Sequence, residues 1–270
     1  MVHYIDFPKI GLHFNLSPVA FSLCGVEIYW YGIIMSTAIL IGFFAACREA
    51  RKYGYKSDDV SGILVCALGL GLVCARLYYV VFNLEDFRNN WIRVVNLRTG
   101  GLAIYGGIIG ALFATYCYCL RRGYKFLNVI DVLMPYLALG QSIGRWGNFT
   151  NQEAFGKVTE LPWGMTGDII KDMNDGMYAT SLVHPTFLYE SIITLVLYFV
   201  LRRVRDRKKF DGQVLGTYML GYGVARFFIE GLRTDSLMFL NFRVSKVLSF
   251  ALVLVSVAMF VMNRRRFRRV

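Results

Sequence analysis

Seven apolar segments divide this 270-residue chain, and each is close to the length that a helix needs to cross a membrane. A helix of about 20 apolar residues covers the ~30 Å of hydrocarbon in a bilayer. Hydrophobic residues make up 56% of the sequence and the mean hydropathy is +0.46, which excludes a soluble domain of ordinary composition. The segments predict transmembrane helices at about 26–47, 60–82, 101–120, 128–149, 184–201, 214–232 and 244–262.

This pattern predicts an all-α integral membrane protein, with a single seven-helix membrane domain over residues 1–270. The polar stretch 150–183, between the fourth and fifth predicted helices, contains the proline, glycine and aspartate typical of compact loops. We expect it to form a small cap inserted into the membrane domain. Residues 1–25 have no basic n-region and contain Pro8 and Pro18, so they predict a segment at the membrane surface rather than a cleaved signal peptide.

The basic residues predict the orientation of these helices. The loops after the first, third and fifth predicted helices, together with the C-terminal tail, contain 18 lysines and arginines, whereas the other side contains eight. Cytoplasmic loops carry this excess in membrane proteins, so the N-terminus and the cap are predicted outside and the C-terminus in the cytoplasm. The net charge of +12 lies largely in these loops, where it favours membrane lipids as partners and argues against nucleic acid.

Neither the cysteines nor the histidines have the spacing of a metal site. Five of the six cysteines lie within or beside apolar segments and none belongs to a CxxC pair, so we interpret them as small buried hydrophobic residues. The histidines, His3, His13 and His184, also lack metal-ligand spacing. The sequence therefore predicts neither a metal nor another cofactor.

The fourth apolar segment ends in a stretch of unusual polarity. Residues 144–156 read GRWGNFTNQEAFG and place an arginine, two asparagines and a glutamate at the edge of the segment. A cation in the middle of a bilayer costs about 2.5–3.5 kcal/mol even on insertion scales, so we expect Arg145 to face a partner or a wet cavity. For Arg145 alone, the alternative is a side chain that snorkels from a helix end to the interface.

A second group of polar residues lies on the sixth predicted helix. Tyr222, Arg226 and Glu230 are spaced by four and share one helix face. Arg226 and Glu230 could neutralise each other in an ion pair that only stabilises packing. Arg76 and Arg145 add further cations within apolar segments. The acids that could pair with these cations are Asp131, Glu153 and Glu190.

More arginines than packing requires would indicate an anionic ligand. A guanidinium binds phosphate through two parallel hydrogen bonds and stays charged in a dry site. In a membrane, the abundant anion with a long apolar body is a phospholipid. Asn148 and Asn151 would supply neutral donors. Gly144 and Gly147 would let the backbone approach a head group, although helix packing alone also explains these glycines.

The polar stretch resembles the signature of the prolipoprotein diacylglyceryl transferase family, G-R-x-G-N-F-x-N-x-E-x-x-G, and matches it at every fixed position. The resemblance extends in order over nearly the whole chain. The other matching residues are Trp30, Tyr31, Gly32, Gly100, Gly101, Gly106, Gly107, His184, Pro185, Leu188, Tyr189, Glu190, Gly221, Tyr222, Gly223, Arg226 and Glu230.

The resemblance implies a reaction and a place for it. Members of the family transfer the diacylglyceryl group of phosphatidylglycerol to the thiol of a lipobox cysteine in the signal peptide of a prolipoprotein. The products are a thioether and glycerol phosphate, and the reaction is the first step of lipoprotein maturation in the bacterial plasma membrane. By the match, Arg145 and Arg226 would be catalytic and neutralise the departing phosphate. The implied substrate-binding residues are Arg145, Tyr31, Asn148, Asn151, Glu153, Gly156, Tyr222 and Glu230.

The sequence departs from the family pattern at Tyr105, the third candidate catalytic residue. Many members have histidine in this glycine-rich segment, often proposed as a base, whereas this chain has tyrosine. A tyrosine with a pKa near 10 is a poor base at neutral pH unless a cation lowers that pKa. Either an adjacent arginine activates Tyr105, or Tyr105 only positions the lipid and the thiol loses its proton in another way.

Two other classes of function use the same features. An anion transporter or channel would use the arginines as a transient binding site for the anion. Such a protein typically has broken helices in paired halves and a polar path to both faces of the membrane. A structural scaffold would use only the basic loops to bind lipid. The sequence shows no internal repeat of the kind that transporters have.

Overall fold

The computed structural model describes residues 2–88, 91–96, 100–173, 178, 180–234, 238–239 and 242–267. Within these residues the chain forms seven long helices and several short strands. The helices are α1 (Trp30–Ala50), α2 (Ser57–Phe82), α3 (Ile104–Arg122), α4 (Phe126–Thr150), α6 (Thr186–Arg205), α7 (Gln213–Leu232) and α8 (Val244–Phe267), with a short α5 (Asp168–Asp172) between α4 and α6.

Five of the helices that the structure describes are long and apolar enough to cross a membrane. These candidate spans are Trp30–Tyr53, Ser57–Phe82, Ile104–Arg122, Phe126–Thr150 and Val244–Asn263. The prediction of a mostly helical protein with apolar membrane helices is therefore confirmed. Helices α6 and α7 are not among these candidate spans, and their passage through the membrane stays a prediction.

The N-terminal region forms strands, which the predicted all-α class did not include, and its position at the membrane surface stays a prediction. The strands are β1 (His3–Phe7), β2 (Leu12–Leu16), β3 (Val19–Leu23) and β4 (Val26–Tyr29). Strand β3 pairs with β4 in a hairpin, so the first helix begins at Trp30 and not near residue 26. Strand β1 pairs with β2 on one edge and with β5 (Thr166–Gly167) on the other. This second pairing joins residues that are far apart in sequence, which local patterns do not reveal.

The chain folds into two compact units, one of residues 1–42 with 133–270 and one of residues 43–132. In the second unit, α2 and α3 approach closely at glycines. A Cβ atom at Gly110 would lie 2.6 Å from the carbonyl oxygen of Leu70, and one at Gly71 would lie 3.2 Å from that of Gly107. Small residues thus allow the two backbones to touch. Gly69 has no atom within 4 Å of its Cβ position and takes no part in this contact.

Arg76 organises a loop of the second unit, and among the described residues it binds backbone carbonyls and no acid. Its guanidinium donates all five N–H groups to backbone carbonyl oxygens, because a guanidinium has five donors and five acceptors surround it. The acceptors are the carbonyls of Arg93, Val94, Asn96, Gly100 and Gly101, at 2.5–3.1 Å. The side chain also lies over the ring of Phe87, 5.2 Å from its centre. The prediction that Arg76 contributes to a surplus of ligand-binding cations is therefore wrong.

The first unit has an apolar core that joins strand β1, the end of α4, the 150–183 region and the start of α6. Its buried members are Ile5, Phe7, Phe149, Phe155, Met165, Ile170, Tyr178, Val183 and Phe187.

Two serines join α4 and α6 in the same unit. Ser142 Oγ donates to the carbonyl of Ser191 and Ser191 Oγ donates to the carbonyl of Ser142, each at 2.8 Å. This reciprocal pair fixes the register of the two helices that carry Arg145 and Glu190.

Candidate active site

One buried carboxylate joins the two arginines that the sequence singled out. Arg145 Nη2, in the last turns of α4, lies 2.5 Å from Glu190 Oε1 in α6. Arg226 Nη1, in α7, lies 3.0 Å from Glu190 Oε2. The side chain of Glu190 is 3% exposed, while those of Arg145 and Arg226 are 23% and 15% exposed. Three helices thus hold both guanidiniums side by side at a site that is buried but not closed.

The polar face of α7 faces this carboxylate. Tyr222 OH donates to Glu190 Oε1 at 3.3 Å, and Arg226 Nη2 lies 2.8 Å from Glu230 Oε2. The predicted face of Tyr222, Arg226 and Glu230 and the predicted ion pair within it are confirmed. Arg226 is nevertheless more than a packing pair with Glu230, since it also binds the helix opposite.

Asn148 connects Arg145 to the signature loop. Its Oδ1 accepts from Arg145 Nη1 at 3.2 Å, and its Nδ2 donates to Glu153 Oε1 at 2.8 Å. Glu153 therefore reaches the arginine through an amide and not by a direct ion pair. The spacing of five residues between Asn148 and Glu153 fits a chain that leaves the helix after Thr150 and turns back.

Asn151, a predicted substrate-binding residue, is not joined to this network. Its backbone N–H donates to the carbonyl of Gly147 at 3.2 Å and continues the helical pattern. In the part of the chain that the structure describes, its side chain has no polar contact. Its predicted role toward substrate stays a prediction.

The glycines of the signature have packing reasons. A Cβ atom at Gly147 would lie 2.8 Å from the ring of Tyr31, and one at Gly144 would lie 2.9 Å from the sulfur of Met35. These glycines let α1 pack against α4, and they place the Tyr31 ring beside the turn that carries Arg145. A Cβ atom at Gly156 would lie 2.8 Å from that of His184. Packing thus explains all three glycines without a ligand.

Tyr105 is the second residue of α3 and is partly buried. It belongs to the unit of residues 43–132, whereas the arginine network lies in the other unit. Its role as a base or as a lipid-positioning residue therefore stays a prediction.

The charges of the network balance differently from the prediction. Among the described residues, the network contains two guanidiniums and three carboxylates; two of the acids pair with the arginines directly and the third, Glu153, is joined through Asn148. The charged side chains are Arg145, Arg226, Glu153, Glu190 and Glu230. There is no surplus of cations in this set, so that part of the prediction is wrong. Anion binding here must rest on donors held in place: each guanidinium uses two nitrogens on protein partners and has N–H groups left for a ligand.

An apolar groove of about 530 Å³ opens beside the network. Its walls come from three helices, α1, α4 and α6. The lining residues are Ile33, Ile34, Thr37, Leu139, Ser142, Ile143, Trp146, Leu188, Ser191, Ile192 and Leu195. Trp146 follows Arg145 in sequence, and Leu188 lies two residues before Glu190. The groove is therefore lined by the same turns of α4 and α6 that carry the charged groups.

Two features of the site were missed in the sequence. Glu190 was considered as a partner of the arginines but was not included among the site residues, although a carboxylate in an apolar segment marks a functional position. The groove depends on how three helices pack, and most of its lining residues are ordinary apolar residues that carry no signal in the sequence.

These features define a helical membrane protein with a buried polar site beside an apolar groove. The sequence model of the family described as prolipoprotein diacylglyceryl transferase matches residues 18–262. The chain belongs to this family of membrane proteins, as the signature indicated.

Relatives carry the name phosphatidylglycerol–prolipoprotein diacylglyceryl transferase. One from Finegoldia magna is 45% identical over 240 residues, covering 88% of this chain and 92% of the relative. One from Clostridioides difficile is 47% identical over 231 residues, covering 86% and 89%. One from Bacillus cereus (strain Q1) is 40% identical over 259 residues, covering 93% of each. The similarity thus extends across most of both chains.

Proposed function

We propose that this protein transfers the diacylglyceryl group of phosphatidylglycerol to the lipobox cysteine of prolipoproteins, the first step of lipoprotein maturation. Family membership and the relatives' names support the reaction. The observation that carries the site assignment is the pair of guanidiniums, Arg145 and Arg226, held together by Glu190 at 2.5 and 3.0 Å.

The reaction places specific demands on such a site. The cysteine thiolate attacks the glycerol carbon that is esterified to phosphate; the C–S bond forms as the C–O bond breaks, and the thiol proton passes to a base. The phosphate leaves with the second glycerol and gains negative charge as it departs. Donors already in position stabilise that developing charge without reorganisation, and charged N–H groups do so most strongly in a site with little water.

Arg145 and Arg226 are the donors for this leaving group. Glu190 binds one side of the Arg145 guanidinium, and Glu230 binds one side of the Arg226 guanidinium. These contacts fix the direction of the N–H groups that remain. Because the acids also balance the arginine charges, the site does not hold an anion by net charge alone. This favours release of glycerol phosphate after transfer.

Asn148, Glu153, Tyr31 and Tyr222 line the head-group side of the same site. Asn148 and Glu153 form the polar branch from Arg145. A glycerol head group carries hydroxyls, and these can donate hydrogen bonds to a carboxylate such as that of Glu153.

The groove between α1, α4 and α6 fits one acyl chain of the lipid. Its surface is largely apolar, and its lining residues include members of the helix turns that carry Arg145 and Glu190. A phospholipid with its phosphate at the guanidiniums would extend a chain along this groove.

The membrane arrangement follows the charge pattern. Seven helices would cross the plasma membrane of a bacterium, with the N-terminus outside and the C-terminus in the cytoplasm, because 18 basic residues lie on one side and eight on the other. Residues 150–183 would then form the extracytoplasmic cap, where exported preproteins arrive.

Tyr105 is the candidate base, and two roles remain open for it. It either takes the thiol proton or positions the lipid. A Tyr105→Phe variant that keeps near-full transfer would exclude the first role, since phenylalanine cannot accept a proton.

The proposed reaction is tested by incubating the purified protein with labelled phosphatidylglycerol and a lipobox peptide. A thioether-linked diacylglyceryl peptide is expected, and a Cys→Ser peptide should give none. Arg145→Ala should remove turnover while the protein stays folded. If Arg145→Ala transfers lipid normally, the assignment of this arginine to the phosphate is wrong.

A further inference from the structure

The backbone of the signature loop is strained at a position that the signature leaves open. Gln152 has φ +50° and Ala154 has φ +56°. Both are in the left-handed region, which residues with a Cβ atom rarely adopt and glycine adopts readily. A glutamine at this position indicates that its side chain supplies something that glycine cannot.

The side chain of Gln152 joins three separate segments. Its Nε2 donates to the carbonyl of Tyr4 in β1 at 3.1 Å. Its Oε1 accepts from the backbone N–H groups of Ile169 and Ile170, at 3.1 and 3.4 Å. These are free N–H groups in the first turn of α5, which is preceded by Gly167 and so lacks a capping side chain of its own. Gln152 is 1% exposed, so all its polar atoms are committed inside the protein.

The next residue along the loop reaches the arginine network. Glu153 accepts from Asn148, which in turn accepts from Arg145. On the other side of Glu153, the carbonyl of Ala154 accepts a hydrogen bond from Thr186 Oγ1. Two anchored residues, Gln152 and Ala154, therefore set the position of the Glu153 carboxylate. Of these, Gln152 is the one that is bonded to α5 and to β1.

We propose that Gln152 is a positioning residue that couples strand β1 and helix α5 to Glu153, and through Asn148 to Arg145. This rests on the proposed function, since Arg145 and Glu153 are taken to hold the lipid head group. Gln152 does not touch the substrate. It keeps a strained loop in the one conformation that presents the Glu153 carboxylate to Asn148.

The test compares Gln152→Gly with wild type in the transfer assay, with the phosphatidylglycerol concentration varied at saturating peptide. Glycine relieves the left-handed backbone but removes all three bonds. We expect KM for phosphatidylglycerol to rise at least about fivefold with a smaller change in kcat, because head-group binding is disturbed more than chemistry. The midpoint of thermal unfolding should stay within a few degrees of wild type.

Thr159→Gly is the matched control. Thr159 is also buried in the 150–183 region and also accepts a backbone N–H, that of Leu161 at 3.2 Å, but within the described residues its hydrogen bonds do not involve the signature loop. Its KM should match wild type. An unchanged KM for Gln152→Gly, or an equal rise in both variants, would overturn the proposal.

If Gln152→Gly unfolds, Gln152→Glu tests the same proposal. It keeps an acceptor for Ile169 and Ile170, but it replaces the donation to Tyr4 by a buried carboxylate that faces the carbonyl oxygen, so a KM above that of wild type is expected. A wild-type KM would overturn the coupling through β1. Absence of product from the wild-type protein would instead contradict the proposed function. Failure of the coupling proposal and failure of the proposed function are therefore distinguishable.

Discussion

Arg145 and Glu190 lie on different helices and meet in a 2.5 Å ion pair, and the same carboxylate also binds Arg226. One acid thus keeps two guanidiniums together that would otherwise repel each other. Removing one partner from a buried pair costs about 3–5 kcal/mol, because the other charge stays buried without compensation.

This contact predicts the effect of Glu190→Gln. The amide keeps the size of the side chain but offers an N–H toward one of the guanidiniums, so the arginines should separate. We expect kcat/KM to fall by at least about 100-fold and the thermal unfolding midpoint to fall by several degrees. Glu160→Gln, at an exposed position, is the control and should behave as wild type. Normal transfer by Glu190→Gln would show that the arginines do not depend on this carboxylate.

Arg145→Lys tests whether geometry or charge matters at the first guanidinium. Arg145 uses one nitrogen for Glu190 and another for Asn148, and a lysine ammonium cannot replace this planar fork. We expect kcat to fall about 10- to 100-fold with the fold retained, measured as thioether product per enzyme. Arg203→Lys, on an exposed part of α6, should have no effect. Full activity of Arg145→Lys would mean that only the positive charge is needed.

His184 predicts a pH dependence of stability. Burial lowers its pKa, and its Nδ1 lies 3.1 Å from Tyr189 OH. Below about pH 6.5, the unfolded chain binds a proton that the folded protein takes up less readily. The contribution of neutral His184 to stability is therefore complete above that pH and falls as the pH is lowered.

The measurement is the thermal unfolding midpoint at pH 7.5 and 5.5. His184→Gln should lose less stability between these pH values than wild type does. Equal losses in wild type and His184→Gln would contradict the assignment.

The sequence predicted the long helices well because apolar length is a local property. Residues 57–82 and 126–150 form helices close to their predicted limits. The signature likewise identified Arg145 and Asn148, which the structure brings together. Interactions with the backbone were not predictable in the same way. Arg76 was assigned to a ligand, but carbonyl oxygens satisfy it, and any residue can supply a carbonyl. The β1–β5 pairing and the bonds of Gln152 were missed for the same reason.

If the groove between α1, α4 and α6 holds an acyl chain, a side chain that fills the groove should weaken the use of long-chain phosphatidylglycerol selectively. Ile34→Trp would place a large ring in the volume proposed for an acyl chain. We expect KM for phosphatidylglycerol with long chains to rise about tenfold, while a short-chain phosphatidylglycerol, which does not extend along the groove, is used as by wild type. Leu40→Trp is the matched control, since it makes the same kind of change on an exposed part of α1 outside the groove. If both tryptophan variants change KM equally, or if short and long lipids are affected alike, the acyl chain lies elsewhere, because a groove that holds the chain must discriminate by chain length.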